Sequence, residues 1–278
     1  MNSPVLKNYR GRFPFKLATT SYIYPDEIVP NVVRLGPFLD EIELVLFESK
    51  GQDSIPDNAQ INHLIELSLL HRVGFNIHLP IDISLGDESE KVRTTGVSVA
   101  RRVIQETLRL NPSFYVLHLD LINPPTFRLP KRGEGESMQE MDIEAWRLRL
   151  IRSLKEILNE RIEPKRISIE TLGYPFEWIE DMVKEFGFSI CLDVGHVLIN
   201  GYDLRHYLET YLPGTSIIHL HGVQNGSDHL GIETLPGPDL NLILSSLRHY
   251  HGIVSIEVFS INALKSSLSV LEQKWIES

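Results

Sequence analysis

Short apolar runs recur along the chain and alternate with segments whose apolar residues follow the 3.6-residue period of a helix. The runs have the length of strands and are rich in β-branched and aromatic residues. They lie at residues 15–24, 40–49, 74–80, 114–121, 166–172, 188–196, 216–223 and 252–259. Helical patterns follow them at 26–35, 56–73, 88–110, 138–160, 176–186, 203–211, 239–250 and 261–276. We therefore predict eight strands that alternate with eight helices.

This alternation predicts an α/β fold made of βα units about 30 residues long. Eight such units fit a closed parallel (β/α)8 barrel, or TIM barrel, with its active site at the C-terminal ends of the strands. A doubly wound open sheet is the alternative, but it rarely needs eight units, and no glycine-rich phosphate loop follows the first strand. No linker divides the chain. We expect a polar, loosely tied arm at 1–14 and one barrel domain at 15–278.

Composition and charge narrow the class of protein. The 278 residues include 37 acidic and 27 basic ones, for a net charge of −10, so the broad basic surface of nucleic-acid-binding proteins is not expected. No stretch approaches the roughly 20 apolar residues of a membrane span, and the N-terminus lacks the apolar segment of a signal peptide. The single cysteine, Cys191, cannot form an internal disulfide. We predict a cytoplasmic protein that acts on a small molecule and binds neither nucleic acid nor membrane.

The predicted strand at 188–196 ends in Asp193 and His196, which points to chemistry at this position. An isolated carboxylate in a buried strand is costly, so Asp193 needs a hydrogen-bonding partner or a cation. Alternation places Cys191 on the same face as Asp193. We interpret Cys191 as a small buried apolar residue, because the strand already ends in harder metal ligands.

Polar side chains occupy the same end of six consecutive predicted strands. They are His78, His118, Glu170, Asp193, His196, His219, His221 and Glu257. One buried histidine is usually a hydrogen-bonded core residue, but three buried carboxylates on one rim repel one another unless a cation lies between them. Mixed carboxylate and imidazole ligands suit Zn²⁺, Mn²⁺ or Fe²⁺ better than Ca²⁺ or Mg²⁺. We predict a centre of one to three divalent metal ions, which can polarise a phosphoryl or carbonyl oxygen and lower the pKa of water.

Two further segments border this rim. After the seventh strand, residues 224–229 add Asp228 and His229, and His229 is either a ligand, a substrate contact or a solvated loop residue. Residues 123–137 form a Pro- and Gly-rich insertion, which we interpret as a substrate-covering lid or a disordered segment. We expect His221, His229, Arg128 and Arg132 to contact substrate, with Lys131 beside them. Glu43 and Glu48 of the second strand could also face the rim.

The pattern from Phe15 to Phe259 resembles the xylose isomerase-like TIM barrels, the superfamily of endonuclease IV and of sugar isomerases and epimerases. In the epimerase branch, the resemblance implies one metal held by the residues of the fifth to eighth strands. They correspond to Glu170 in IETLG, Asp193 in CLDVGH, His219 in IIHLHG and Glu257 in SIEVF. The endonuclease branch adds histidines matched by His78 in NIHLP, His118 in VLHLD and His196. That branch has Asp-x-His after the seventh strand, where this chain has Ser227-Asp228-His229.

A narrower likeness lies near the N-terminus. TTSYIYPDEIVPNVVRL and DEIELVLFES resemble the cobamide-remodelling phosphodiesterases called CbiR. This resemblance implies a metal-dependent hydrolase that cleaves the nucleotide-loop phosphodiester of B12-type cofactors, with Glu170, Asp193 and Glu257 as catalytic residues. Two alternatives stay open. One is a single-metal sugar-phosphate isomerase or epimerase that uses Glu170 and Glu257 as acid and base, and the other is a barrel that binds metal and ligand without turnover.

Overall fold

Eight parallel strands close into a barrel in the computed structural model, which describes residues 6–47, 55–120, 140–158 and 162–277. The predicted (β/α)8 barrel is therefore confirmed. The strands are β1 Lys16–Thr20, β2 Glu41–Val45, β3 Gly74–His78, β4 Tyr115–Leu117, β5 Ile167–Glu170, β6 Ser189–Asp193, β7 Thr215–Leu220 and β10 Ile253–Ile256. Each pairs with its neighbour in sequence, and β10 pairs with β1 to close the ring.

Helices surround the strands as the amphipathic patterns predict. They are α1 Ile28–Leu35, α2 Asn58–His71, α3 Glu90–Thr107, α4 Glu140–Ile157, α5 Glu180–Phe186, α6 Val194–Ile199, α7 Leu204–Tyr211, α8 Gly237–Ser246 and α9 Ile261–Glu277. Asp57 caps α2 in a reciprocal capping box with Gln60, and Asp203 caps α7. The short α6 was not predicted as a helix, because its first residues continue the apolar pattern of β6.

Two apolar layers support the barrel. The larger lies between strands and helices, and the smaller fills the barrel interior with Ala18, Val116, Cys191, Ile217 and Ile253. Cys191 is fully buried there, as its interpretation as a small apolar residue requires. This packed floor leaves the polar ends of the strands as a layer above it.

A hairpin follows β7 where only a loop was expected. It consists of β8, Gly222–Gln224, and β9, Ser227–Leu230, paired antiparallel. Asn225 and Gly226 join them with φ values of 52° and 77°. Two consecutive residues with positive φ form the turn that Asn-Gly favours between antiparallel strands, so the dipeptide was a usable signal for this hairpin.

The described part of the N-terminal segment, residues 6–14, is more closely packed than the predicted loose arm. Leu6 and Tyr9 are buried in the main core, and the guanidinium of Arg10 donates hydrogen bonds to the carbonyls of Gly36 and Leu39. The segment at 123–137, with Arg128, Lys131 and Arg132, and also Glu48, lies outside the described residues. Among the described residues, no helix combines the length and apolar character that a membrane span requires.

Candidate metal centre

The strand register places the predicted polar residues at one end of the barrel. Asp193 on β6 lies opposite His219 on β7. Cys191, two residues earlier on β6, lies opposite Glu170 on β5. Because side chains alternate along a strand, Asp193 and His219 project into the barrel above the apolar floor. The eight residues singled out on the six strands therefore converge on one rim.

Glu170 joins the imidazoles of the third and fourth strands. Its Oε2 lies 3.1 Å from His78 Nε2 and 2.9 Å from His118 Nε2. His78 Nδ1 lies 2.9 Å from the carbonyl oxygen of Leu79 and can donate its proton there, which frees Nε2 as a ligand atom. Ligand atoms of these three residues lie within 4.8 Å of one another, close enough to hold one cation.

A second group surrounds His219. Its Nδ1 lies 3.1 Å from Glu257 Oε2, 3.6 Å from Glu170 Oε1 and 3.7 Å from Asp193 Oδ2. These are the four residues that the epimerase-type pattern assigns to one metal. All four side chains are buried, and three carboxylates that face one imidazole nitrogen define an electronegative position that suits a divalent cation.

The pKa shifts of the buried histidines and of Glu170 also indicate that the carboxylates of the site require positive charge beside them. Burial alone would lower the pKa of His118, but the charges of Glu170 and Asp120 outweigh it and raise the pKa to about 10. Burial would likewise lower the pKa of His219, yet neighbouring groups, Glu257 among them, raise it well above its usual value. Burial opposes ionisation of Glu170, but His118 and His219 hold its pKa well below the usual range. Without a metal, the imidazoles have to carry the charge that these carboxylates require.

Unpaired buried atoms show that the residues present fit a cation. His219 Nδ1, His219 Nε2 and Glu257 Oε2 are buried and make no hydrogen bond, and both carboxylate oxygens of Glu43 share this condition. Buried polar atoms are nearly always satisfied in folded proteins, so a group of them points to a bound ion or water. Glu43, His78, His219 and Glu257 also offer ligand atoms within 4.8 Å of one another.

A third group lies at the edge of the rim. His196, Asp228 and His229 offer ligand atoms within 4.8 Å of one another, and all three are partly exposed. His196 Nδ1 lies 3.0 Å from the carbonyl oxygen of Thr171, which leaves Nε2 as its ligand atom. Asp228 and His229 therefore lie together with His196 at the rim, although they are adjacent in sequence and depart from the Asp-x-His pattern.

His221 contacts both the Asp193 carboxylate and the backbone of the hairpin. Its Nε2 lies 3.1 and 3.2 Å from the two oxygens of Asp193, while its Nδ1 accepts the backbone N–H of His229 at 2.9 Å. Asp193 also accepts the backbone N–H of His196 at 2.6 Å and so caps α6. The side chain of His221 is fully buried. In this geometry it orients Asp193, and its expected contact with substrate stays a prediction.

The remaining substrate-contact predictions fall in two places. His229 lies at the rim, with its ring centroid 5.0 Å from that of Phe259, whereas Arg128 and Arg132 lie outside the described residues. Sequence reasoning left the orientation of Glu43 open and did not assign Asp228 to a ligand group. The alternation of Glu41 and Glu43 with Ile42 and Leu44 is only a weak signal for an inward carboxylate, because both faces of β2 are buried.

Comparison with known proteins places this geometry in a family. The sequence matches no curated protein. Among solved structures, a D-tagatose 3-epimerase-like protein is 20% identical with a TM-score of 0.72, and the match covers 95% of this chain and 98% of that one. Endonuclease IV from Thermus thermophilus is 15% identical with a TM-score of 0.69, covering 95% and 100%. The IolI protein with a bound zinc atom is 17% identical with a TM-score of 0.62, covering 95% and 96%.

At such low identities, these structures show a shared fold and no more. The model of one protein family, by contrast, matches residues 39–277, which is most of the sequence. The chain therefore belongs to the xylose isomerase-like TIM barrel family.

Proposed function

We propose that the protein is a metal-dependent phosphodiester hydrolase. The observation that carries this proposal is the position of the Glu170 carboxylate between two sets of imidazoles. Its Oε2 faces His78 and His118, while its Oε1 lies 3.6 Å from His219 Nδ1. A carboxylate whose two oxygens face different ligand groups is suited to bridge two cations.

The number of ligands supports more than one metal. A single catalytic metal needs three or four protein ligands, whereas the rim offers three groups that extend from His78 on β3 to His229 on β9. Four carboxylates, those of Glu43, Glu170, Asp193 and Glu257, are also buried together. Two divalent cations would balance their four negative charges.

Such a centre suits the chemistry of a phosphodiester. When bound, two neighbouring divalent cations supply Lewis acidity to the phosphoryl oxygens and favour ionised water at neutral pH. The residues of the chain orient this centre: His78 and His118 fix Glu170 from one side, and His221 fixes Asp193 from the other. The relatives named for endonuclease activity and for a bound zinc atom are consistent with this class of chemistry.

The finer proposal concerns the substrate. Residues 19–35 and 40–49 resemble the cobamide-remodelling phosphodiesterases, so we assign a cobamide as the substrate and its nucleotide-loop phosphodiester as the bond that is cleaved. Within the described part of these ranges lie the last residues of β1, the whole of α1 and the whole of β2. The net charge of −10 favours a small molecule over duplex DNA.

A sugar epimerase or isomerase is the second candidate, and one observation favours it. Glu170 and Glu257 both approach His219 Nδ1, at 3.6 and 3.1 Å, so one cation there would be flanked by two carboxylates. Two carboxylates on either side of a carbinol carbon can exchange its proton as acid and base. Epimerase-like proteins are among the structures that share the fold.

Product analysis distinguishes these candidates. Protein loaded anaerobically with Zn²⁺, Mn²⁺ or Fe²⁺ is incubated separately with a cobamide, with ketoses and their phosphates, and with DNA that carries an abasic site. We expect release of a cobinamide species and a nucleoside fragment from the cobamide. A ketose converted to its epimer, or nicked DNA, with an intact cobamide would assign the protein to the corresponding class instead. Asp193→Asn, which removes a proposed metal ligand, should abolish the reaction and thereby exclude a contaminating enzyme.

A further inference from the structure

We infer that Glu43 is a positioning residue that holds the imidazole of His219 with Nε2 protonated, so that Nδ1 is the atom that binds metal. This inference rests on the metal-binding part of the proposed function and is independent of the substrate. It assigns a role to a residue of β2, a strand that contributes no member to the four residues around His219 Nδ1.

The two nitrogens of His219 face opposite sides of the barrel. Nδ1 faces the carboxylates of β5, β6 and β10, whereas Nε2 lies 3.1 Å from Glu43 Oε1. A cation is stabilised most where several carboxylates converge, which is the Nδ1 side. Nε2 then has to carry the proton, because a metal-bound neutral imidazole has one protonated nitrogen.

Glu43 is the acceptor available to that proton. Its side chain is fully buried, and neither of its oxygens makes a hydrogen bond elsewhere. Among the described residues, no other carboxylate lies within ion-pair distance of His219 Nε2. Glu43 Oε1 and His219 Nε2 are close enough for a hydrogen bond but are not aligned for one. Neither nitrogen of His219 makes a hydrogen bond in the structure. A cation bound at Nδ1 would orient the ring of His219. Glu43 would then fix that orientation by accepting a hydrogen bond from the Nε2 proton on the opposite side of the ring.

The physical effect is that of a carboxylate behind a metal-binding histidine. An acceptor on the distal N–H fixes the tautomer and raises the basicity of the ligating nitrogen, and its loss typically weakens metal binding by about 10- to 100-fold. A purely structural role predicts a different result. His219 keeps three carboxylates near Nδ1 when Glu43 is removed, so the stability of the metal-free protein is not expected to fall.

Glu41 provides a matched control on the same strand. It is equally buried, but it lies at the opposite end of the barrel, where Oε1 accepts hydrogen bonds from Lys16 Nζ at 2.8 Å and Ser113 Oγ at 2.7 Å. Glu41 belongs to none of the ligand groups described above, and its partners are Lys16 and Ser113. Its replacement removes a buried carboxylate from β2 without touching His219.

The experiment compares Glu43→Leu, Glu43→Gln and Glu41→Gln with the unmodified chain. Zinc affinity is measured by competition with a chromophoric chelator, and thermal unfolding is measured on the metal-free proteins. We expect Glu43→Leu to weaken zinc binding about 10- to 100-fold, Glu43→Gln to recover part of the loss because it keeps an acceptor, and Glu41→Gln to bind as the unmodified chain does. All metal-free variants of Glu43 should unfold at or above the unmodified midpoint.

A second readout tests the tautomer directly. In zinc-loaded protein with ¹⁵N-labelled histidine, two-bond ¹H–¹⁵N correlations identify the protonated nitrogen of His219, assigned by its loss in His219→Gln. We expect a proton on Nε2. Unchanged zinc affinity in both Glu43 variants, or coordination through Nε2 with the metal seated between Glu43 and His78, would overturn the inference. Neither result depends on cobamide cleavage, so failure here is distinct from failure of the proposed activity.

Discussion

The imidazole of His221 lies against both carboxylate oxygens of Asp193, at 3.1 and 3.2 Å. The same ring accepts the backbone N–H of His229, so it connects a carboxylate on β6 to the hairpin that follows β7. Two ligand groups of the centre thereby share one buried support. We expect a change that displaces this ring to affect both groups.

Gly195→Ala is such a change. A Cβ at Gly195 would overlap the ring of His221, whereas a Cβ at Gly237, also in a helix, would meet no atom within 4 Å. We expect Gly195→Ala to cost about 1–3 kcal/mol in the free energy of unfolding through overpacking and to lower the metal content. Gly237→Ala serves as the control and should keep both. Metal analysis and chemical denaturation of the two variants check this, and full metal content in Gly195→Ala would show that His221 is dispensable.

Removal of the metal should make stability depend on pH above neutrality. Burial opposes the charged form of His118, but the charges of Glu170 and Asp120 raise the pKa of this imidazole to about 10. A folded pKa above the unfolded value of about 6.5 stabilises the protein at low pH, and this contribution disappears as pH rises through about 10. The metal-free protein should therefore lose thermal stability between about pH 6.5 and 10.

Bound metal should remove much of this dependence, because histidine ligands are neutral in the complex. Zinc binding at pH 7 should accordingly release protons. Titration calorimetry in two buffers of different ionisation enthalpy measures that release. Equal apparent enthalpies in the two buffers would contradict protonated histidines in the metal-free centre.

Much of the fold followed from periodicity, because eight alternating units leave few architectures. The ligands on β3 to β7 and at the end of β10 were visible for a related reason. A carboxylate or imidazole such as Asp193 is conspicuous inside an apolar strand, since its burial is costly without a partner. The barrel geometry then brings strand ends to one rim whatever their separation in sequence.

Other parts of the site could not be predicted by the same reasoning. Both faces of a barrel strand are covered, so the alternation that would orient Glu43 is weak. The role of His221 depends on the hairpin, because its Nδ1 partner is the backbone of His229, eight residues away. Such support is a matter of tertiary distance, which sequence spacing does not encode.

Phe259 offers a test of substrate contact at the rim. Its side chain is 48% exposed, and its ring centroid lies 5.0 Å from that of His229. An exposed aromatic ring beside the centre can stack on a planar group of the substrate at a gain of about 0.5–1.5 kcal/mol. We expect Phe259→Ala to raise KM several-fold with metal content unchanged, and Phe259→Tyr to restore most of the affinity. Steady-state kinetics with metal-replete protein measures this. An unchanged KM in Phe259→Ala would show that the ring only covers His229 and does not contact the substrate.

The hairpin should hold a separable part of the metal centre. Adjacent residues of a regular strand point to opposite faces, so an Asp-His pair on an extended strand could not bind one cation. His229 avoids this because its φ is +51°, a left-handed conformation that is unusual for a residue other than glycine. That conformation brings the ligand atoms of Asp228 and His229 together with that of His196, within 4.8 Å.

Strain of this kind, of about 1–3 kcal/mol, persists only where surrounding contacts impose it, and here His221 holds the backbone N–H of His229. We therefore expect Asp228→Asn to lower the metal content by one ion per chain and to leave the ions bound by Glu170 in place. Ser227→Ala, one residue earlier on β9 and without a ligand atom, is the matched control. Elemental analysis after dialysis against a weak chelator gives the count. If Asp228→Asn and Ser227→Ala retain equal amounts of metal, the hairpin holds no ion. The centre then consists only of the two ligand groups that include Glu170.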